Sequence, residues 1–326
     1  MGWCIKMPRS QLNRDRYRGC LVGLAVGDAL GTAVEFRTPG SFAPIRDMVG
    51  GGSFDLTPGQ WTDDTSMALC LAESLLDSRG FDPRDQMVRF IKWYRTGYLS
   101  STGRCFDIGN TTRRALQIFE QTGDPYSGPK DSNSAGNGSI MRLAPVPMFF
   151  AADLVAAIQW SGESSKTTHQ AEECLDACRL LGGLVAQALR GERRDMLMAE
   201  PTLLAEYWGR NPLSPRVSEV AAGSFRRKVP PEIRGTGYVV ESLEAALWAL
   251  YHAKSFREGA LLAVNLGDDA DTTGAVYGQI AGAFFGLKGI PRGWSRRIAL
   301  AELILGYADR LFEYANQAPP DSTRTA

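Results

Sequence analysis

Long apolar runs are missing from this chain of 326 residues. No segment offers about eighteen unbroken apolar residues, so no membrane-spanning helix is expected. Excess charge of either sign is missing too: Lys+Arg and Asp+Glu both number 36. A protein that grips nucleic acid or an anionic membrane surface carries a basic surplus, so neither partner is expected. Histidine is scarce, with two residues, which weighs against a zinc centre. The six cysteines, Cys4, Cys20, Cys70, Cys105, Cys174 and Cys178, form no Cys-x-x-Cys pair. They read as reduced, mostly buried thiols, with Cys174 and Cys178 on the buried face of one helix. Residues 1–18 are too polar and too charged for a signal peptide, and the expected location is cytoplasmic. Period-two apolar alternation between turns is nearly absent, so strands should be few.

What is present is helix after helix. The apolar fraction of 44% and charged fraction of 22% are those of an ordinary globular protein. Apolar residues recur at helical spacing over 17–30, 64–76, 85–94, 111–120, 152–160, 171–189, 238–253, 256–264, 272–285 and 297–316. The fold class is therefore all-α. Two of these segments share a peculiarity: Gly19, Gly23, Gly27 and Gly31 recur every fourth residue, and so do Gly274, Gly278, Gly282 and Gly286. Each set makes a bare stripe on one helix face, which lets another backbone approach closely. Glycine costs roughly 1 kcal/mol per site in a helix interior, and close packing compensates. Asp28 and Gln279 argue against a membrane origin of the pattern. The two helices are expected to form the packed centre of one domain, bringing both ends of the chain together. Residues 37–60, with Pro39-Gly40, Gly50-Gly51-Gly52 and Pro58-Gly59, form a long glycine-rich loop that reads as a lid. Residues 123–137, 211–215 and 228–237 also read as loops. A disordered tail is expected beyond Gln317.

Two acidic clusters stand out, each where a loop ends and a helix begins. The first is Thr62-Asp63-Asp64-Thr65; the second is Asp268-Asp269-Ala270-Asp271-Thr272-Thr273. Helix capping explains one or two polar residues at such a position, but not four in succession. Three acids within four residues repel one another unless a cation is present. If the clusters meet, five carboxylates converge with several hydroxyls. An all-oxygen donor set favours Mg²⁺ or Mn²⁺, with Ca²⁺ as the alternative. Asp28 and Glu35, near the end of the first helix, could ligate metal, activate water or protonate a leaving group; the alternative is a pair of ordinary surface acids. Residues 133–139, Asn-Ser-Ala-Gly-Asn-Gly-Ser, expose backbone N–H groups in a manner that suits phosphate, but lack the P-loop pattern. His169 precedes a helix and has a plain capping alternative; His252 reads as structural.

Taken together, GLAVGDALGTAVE (23–35), WTDDT (61–65), DIGNTT (107–112), SAGNGSIMR (134–142), Thr168-His169 and LGDDADTTG (266–274) resemble the ADP-ribosylglycohydrolase family, and most closely its arginine-directed, dinitrogenase reductase-activating branch. The likeness runs from about residue 16 to 307. It implies a compact single-domain orthogonal helical bundle over 16–316, preceded by a short extension at 1–15, with a binuclear metal cleft. Two Mg²⁺ (or Mn²⁺) would be held by Thr62, Asp63, Asp64, Asp269, Asp271 and Thr272. Glu35, Asp63 and Asp107 would be catalytic, with Glu35 in an acid/base role and on a gating loop. Gly136, Asn137, Gly138, Ser139 and Met141 would hold ADP-ribose around its diphosphate, and His169 and Tyr238 would lie near the ribose or adenine. Many relatives carry glycine where this chain has Asp268, which is expected to stand outside the ligand set. The resemblance implies a hydrolase of the bond between ADP-ribose and a protein side chain, most naturally arginine, with free ADP-ribose as product; a monomer is expected. Serine-linked or O-acetyl-ADP-ribose substrates, a catalytically silent ADP-ribose binder and a metal-dependent phosphohydrolase stay open as alternatives.

Overall fold

The computed structural model describes residues 12–193 and 204–317. Apart from residues 12–15 and 317, the expected extension and tail lie outside them, as does Cys4. In chain order the α-helices are α1 (Arg14–Gly31), α2 (Asp63–Ser78), α3 (Pro83–Thr96), α4 (Asn110–Thr122), α5 (Pro145–Phe149), α6 (Leu154–Ser165), α7 (Glu172–Leu189), α8 (Ala205–Arg210), α9 (Pro215–Ala221), α10 (Val239–His252), α11 (Phe256–Val264), α12 (Ala270–Phe285), α13 (Arg292–Arg297) and α14 (Ala301–Gln317). Among the described residues no strand forms; two isolated bridges, Gly51 with Leu56 and Gly136 with Tyr238, are the β-type pairing.

The molecule is built on the contact between α1 and α12. A Cβ added to Gly19, Gly23, Gly27 or Gly31 would fall into the backbone of Gly282, Gly278, Gly274 or Ala270 respectively. This order makes the two helices antiparallel, with backbone resting on backbone along both stripes. The end of α1 therefore lies beside the start of α12, and α2 packs its first turn into the same corner. Three helix termini bearing Asp28, Asp63–Asp64 and Asp269–Asp271 thus converge by the logic of one helix pair. Halfway along α12, the buried Gln279 donates from Nε2 to the carbonyls of Ile140 (2.9 Å) and Met141 (2.7 Å). That pair of bonds fastens the 136–142 segment over the same corner.

Nine of the ten segments expected to be helical each contain one helix. The tenth, 297–316, is a correction, because α13 and α14 divide it. Ile298 leaves the helical region with ψ 130°, and Leu300 takes φ +55°. The break has a tertiary cause. Ala299 donates its N–H to the Gly59 carbonyl (2.8 Å) and accepts from the Trp61 indole Nε1 (3.1 Å), which anchors the strand of chain leading into α2. The short helices α5, α8 and α9 escaped a periodicity reading because five to seven residues cannot show a stripe; the expected loop 211–215 gives way to α9 at Pro215. Cys20, Cys70, Cys105, Cys174 and Cys178 are free thiols, and Cys174 and Cys178 lie on the buried face of α7.

Candidate active site

Neither acidic cluster caps its own helix by a side chain. At α2 that task falls to Asp28, reaching across from α1. Its Oδ1 accepts from the Thr62 N–H (2.9 Å) and lies 3.1 Å from the Thr62 hydroxyl. Its Oδ2 accepts from the Thr65 N–H (3.1 Å) and hydroxyl (2.6 Å). Asp28 is wholly buried, so it is no surface acid, and these donors occupy both its oxygens. The side chains of Asp63 and Asp64 are thereby left for other partners. At α12, Asp269 accepts from Asn137 Nδ2 (2.9 Å).

The clusters meet through a reciprocal exchange. The Thr62 hydroxyl lies 3.2 Å from Asp271 Oδ2, and the Thr272 hydroxyl lies 3.2 Å from Asp64 Oδ1. Glu35 and Asp107 join them: one oxygen each from Glu35, Asp107 and Asp271 lie within 4.8 Å of one another. Asp268 departs from the expected convergence of five acids. It takes φ +52°, in keeping with the glycine expected of relatives at that position. Its backbone trades hydrogen bonds with the 36–37 segment, Phe36 N–H to its carbonyl (2.7 Å) and its own N–H to the Arg37 carbonyl (2.9 Å).

Crowding so many carboxylates out of water penalises their ionised forms. Burial, then neighbouring carboxylates, hold Asp63, Asp64 and Asp271 well above the usual range. Burial first, and then Asp107, Asp269 and Asp28, push Glu35 up to about 10. Burial and Asp269 raise Asp107 to about 7. Burial raises Asp28 to about 6 against its four hydrogen bonds, and raises Asp269 against the bond from Asn137. Three buried carboxylate oxygens, Glu35 Oε2, Asp64 Oδ2 and Asp271 Oδ1, have no hydrogen-bond partner. Orphaned acceptors in an all-oxygen nest fit a hard divalent cation, which would both neutralise the charge and satisfy the lone pairs.

Above this floor opens a cavity of about 330 Å³, lined by Glu35, Asp63, Asp107, Asp269, Asp271 and Thr272, by Phe36 and residues 108–112, and by Gly136, Asn137, Gly138, Met141 and His169. Of the residues expected at the site, Thr62, Asp64 and Ser139 lie beneath the surface rather than in the lining. Ser139 faces inward, its hydroxyl accepting from Ser165 (2.9 Å). Tyr238 stands outside the lining. It bridges to Gly136, while its phenol donates to Glu173 (2.7 Å).

Arg142 went unassigned in the sequence, although it closes the SAGNGSIMR run. It is fully buried, donates from one nitrogen to the Gly138 carbonyl, and from another to the hydroxyls of Thr168 (2.9 Å) and Thr167 (3.1 Å). Its guanidinium stands 4.8 Å from the Phe90 ring centroid. It thus braces the 136–138 loop against the segment carrying His169, whose Nδ1 pairs with the Thr168 hydroxyl (2.9 Å). Burial, and then Arg142, hold the His169 imidazole down at about 3, so it is neutral.

The 37–60 loop is tied to the body at several points. Ile45 N–H donates to Asn265 Oδ1 (2.8 Å), the Trp294 indole to Asp47, and Arg297 to the Met48 carbonyl (3.0 Å). Gly50, Gly51 and Gly52 all take positive φ, and a Cβ on Gly52 would overlap the Thr32 carbonyl, which is why this tip is glycine. A larger groove of about 560 Å³ lies between Pro44-Ile45 and α11. Its one lining acid, Glu258, accepts from the Lys254 N–H, and no carboxylate cluster meets there.

Comparison with known proteins identifies relatives of the whole chain. Residues 9–320 match the family profile described as ADP-ribosylglycohydrolase. The chain is 43% identical over 314 residues to the ADP-ribosylarginine hydrolase Tri1 of Pseudomonas putida, covering 96% of this chain and 82% of that protein. It is 32% identical over 288 residues to the ADP-ribosyl-[dinitrogen reductase] glycohydrolase of Rhodospirillum rubrum, covering 87% and 90%. A solved structure titled "ADP-ribosylglycohydrolase-related protein complex" superposes with a TM-score of 0.81 at 44% identity, over 95% of this chain and all of that one.

Proposed function

The chain belongs to the ADP-ribosylglycohydrolase family, and from that premise we propose that it hydrolyses the N-glycosidic bond between ADP-ribose and a modified arginine side chain of a protein, releasing ADP-ribose. The observation that carries the reading is the joining of two acidic helix termini by the Thr62–Asp271 and Thr272–Asp64 exchange, directly beneath a cleft of a size suited to a small ligand. The activities named for the relatives from Pseudomonas putida and Rhodospirillum rubrum support the same chemistry.

Thr62, Asp63, Asp64, Asp269, Asp271 and Thr272 are the residues that would hold two Mg²⁺ or Mn²⁺ ions. Bound there, the ions supply Lewis-acid polarisation of sugar oxygens. Cleavage of a glycosidic bond builds positive, oxocarbenium-like charge on the ribose, and a dense set of carboxylates stabilises it. Glu35 and Asp107, side by side in the lining, form the proton-moving pair: one delivers a proton to the departing side chain, the other takes one from water. The 136–138 backbone, braced by Arg142, and the neutral His169 bind the rest of ADP-ribose.

The test is release of ADP-ribose from arginine-linked and from serine-linked modified proteins, each with Mg²⁺ and with excess chelator. Metal-dependent release from the arginine substrate is expected, and Asp63→Ala or Asp269→Ala should abolish it while helical circular dichroism persists. Release from the serine substrate alone would move the linkage, and no release from either would overturn the reading.

A further inference from the structure

Phe36 is an aromatic that folding leaves in the open. It is 64% exposed, lines the cleft beside Glu35, and takes φ +59°. The left-handed region costs a bulky side chain roughly 1–3 kcal/mol and persists only where the surroundings impose it. Here the constraint is the backbone exchange of Phe36 and Arg37 with Asp268, which is itself left-handed. Two strained residues, each next to an acid of the site, are locked to one another. The backbone that carries the phenyl ring is thereby held beside both Glu35 and Asp269. It is also backed rather than covered: Phe54 meets it edge-on with centroids 6.4 Å apart, and Phe106, the neighbour of Asp107, lies 5.2 Å from Phe54. Of this rank of three rings, Phe36 is the one that lines the cleft, beside Glu35.

Resting on the hydrolase reading above, we propose that Phe36 determines acceptor specificity. Its ring face takes the guanidinium of the arginine whose bond to ADP-ribose is cut. A planar, weakly hydrated cation over a ring face, with acids beside it, is the pairing such a surface favours. A serine hydroxyl gains nothing from it.

Phe36→Leu keeps apolar bulk and removes the ring face. The expected result is a fall of about two- to thirtyfold in kcat/KM on an arginine-ADP-ribosylated peptide, the range of one cation–π contact, with affinity for free ADP-ribose changed less than twofold. Phe36→Trp should restore turnover. Its indole emission, taken as the difference from wild type, should respond to agmatine in the presence of ADP-ribose and not to the neutral urea analogue of agmatine. Unchanged kcat/KM in Phe36→Leu, or a parallel loss of ADP-ribose affinity, would overturn the proposal, as would an equal fluorescence response to cation and urea. Inactivity of the wild-type protein on the arginine peptide would instead overturn the hydrolase reading, and the agmatine titration would then decide the role of Phe36 alone.

Discussion

Asp28 shows how much a single residue can do here without touching a ligand. Both its oxygens are filled by Thr62 and Thr65, so it sets the position of the turn from which Asp63 and Asp64 project. Asp28→Asn would place an NH₂ against two donors. One buried pairing would be lost at a cost of about 1–3 kcal/mol. We expect a lower Tm and weakened Mg²⁺ binding together, read by calorimetry, whereas a structural defect remote from the site would lower Tm alone. Arg142→Lys should behave similarly at the other side of the cleft. A compact ammonium cannot span Gly138, Thr167 and Thr168 as the guanidinium fork does. Affinity for ADP-ribose, measured by titration, should fall with stability. The acids at 63, 64, 269 and 271 are legible in the sequence because each cluster is contiguous. The parts played by Asp28 and Arg142 are not, because their side-chain partners Thr62, Thr65, Thr167 and Thr168 lie tens of residues away and nothing local separates a buried pairing from a surface charge.

At the scale of elements, the glycine stripes carry the argument. Each was legible as a bare helix face, but the sequence does not say which stripe meets which, or in what direction. Only the antiparallel arrangement brings Gly27 to Gly274 and so sets Asp28 beside the start of α12. The divided last helix was illegible for the opposite reason: the apolar period runs on through 298–300, while Gly59 and Trp61 capture Ala299 from outside. Gly274→Ala would drive a methyl into the Gly27 backbone and the Val264 side chain. Overpacking of this kind costs about 1–3 kcal/mol and often more, and the displaced end of α12 carries Asp271. Gly306→Ala, on the exposed face of α14 with nothing within 4 Å of the added methyl, should instead stabilise by up to about 1 kcal/mol. Denaturation midpoints of the two variants should therefore move in opposite directions, and only Gly274→Ala should lose activity.

For the molecule as a whole, the convergence of acids makes stability depend on pH and on metal together. A carboxyl group whose pKa is higher folded than unfolded holds its proton more tightly in the folded state. Its stabilisation is complete below the unfolded value and is lost as pH rises through the folded one. Asp107, raised to about 7, and Glu35, raised to about 10, therefore make the metal-free protein less stable as pH climbs from about 4. His169, held at about 3 against an ordinary 6.5, acts the other way. Its contribution is complete above pH 6.5 and is lost only as pH falls towards 3, so between pH 6.5 and 9 the slope is set by the raised carboxylates, joined towards pH 9 by the buried thiols of Cys20, Cys70, Cys174 and Cys178, which burial also pushes up. A divalent cation competes with those protons and binds better as they leave, adding stability as RT ln(1 + [L]/Kd). In chelator, Tm should fall between pH 6.5 and 9; with Mg²⁺ the fall should flatten, so that the Tm gain from Mg²⁺ grows with pH. Asp269→Ala should erase most of that gain. A gain from Mg²⁺ that is the same at both ends of the window would mean that the cation binds elsewhere, and that the acids at the helix termini share protons rather than metal.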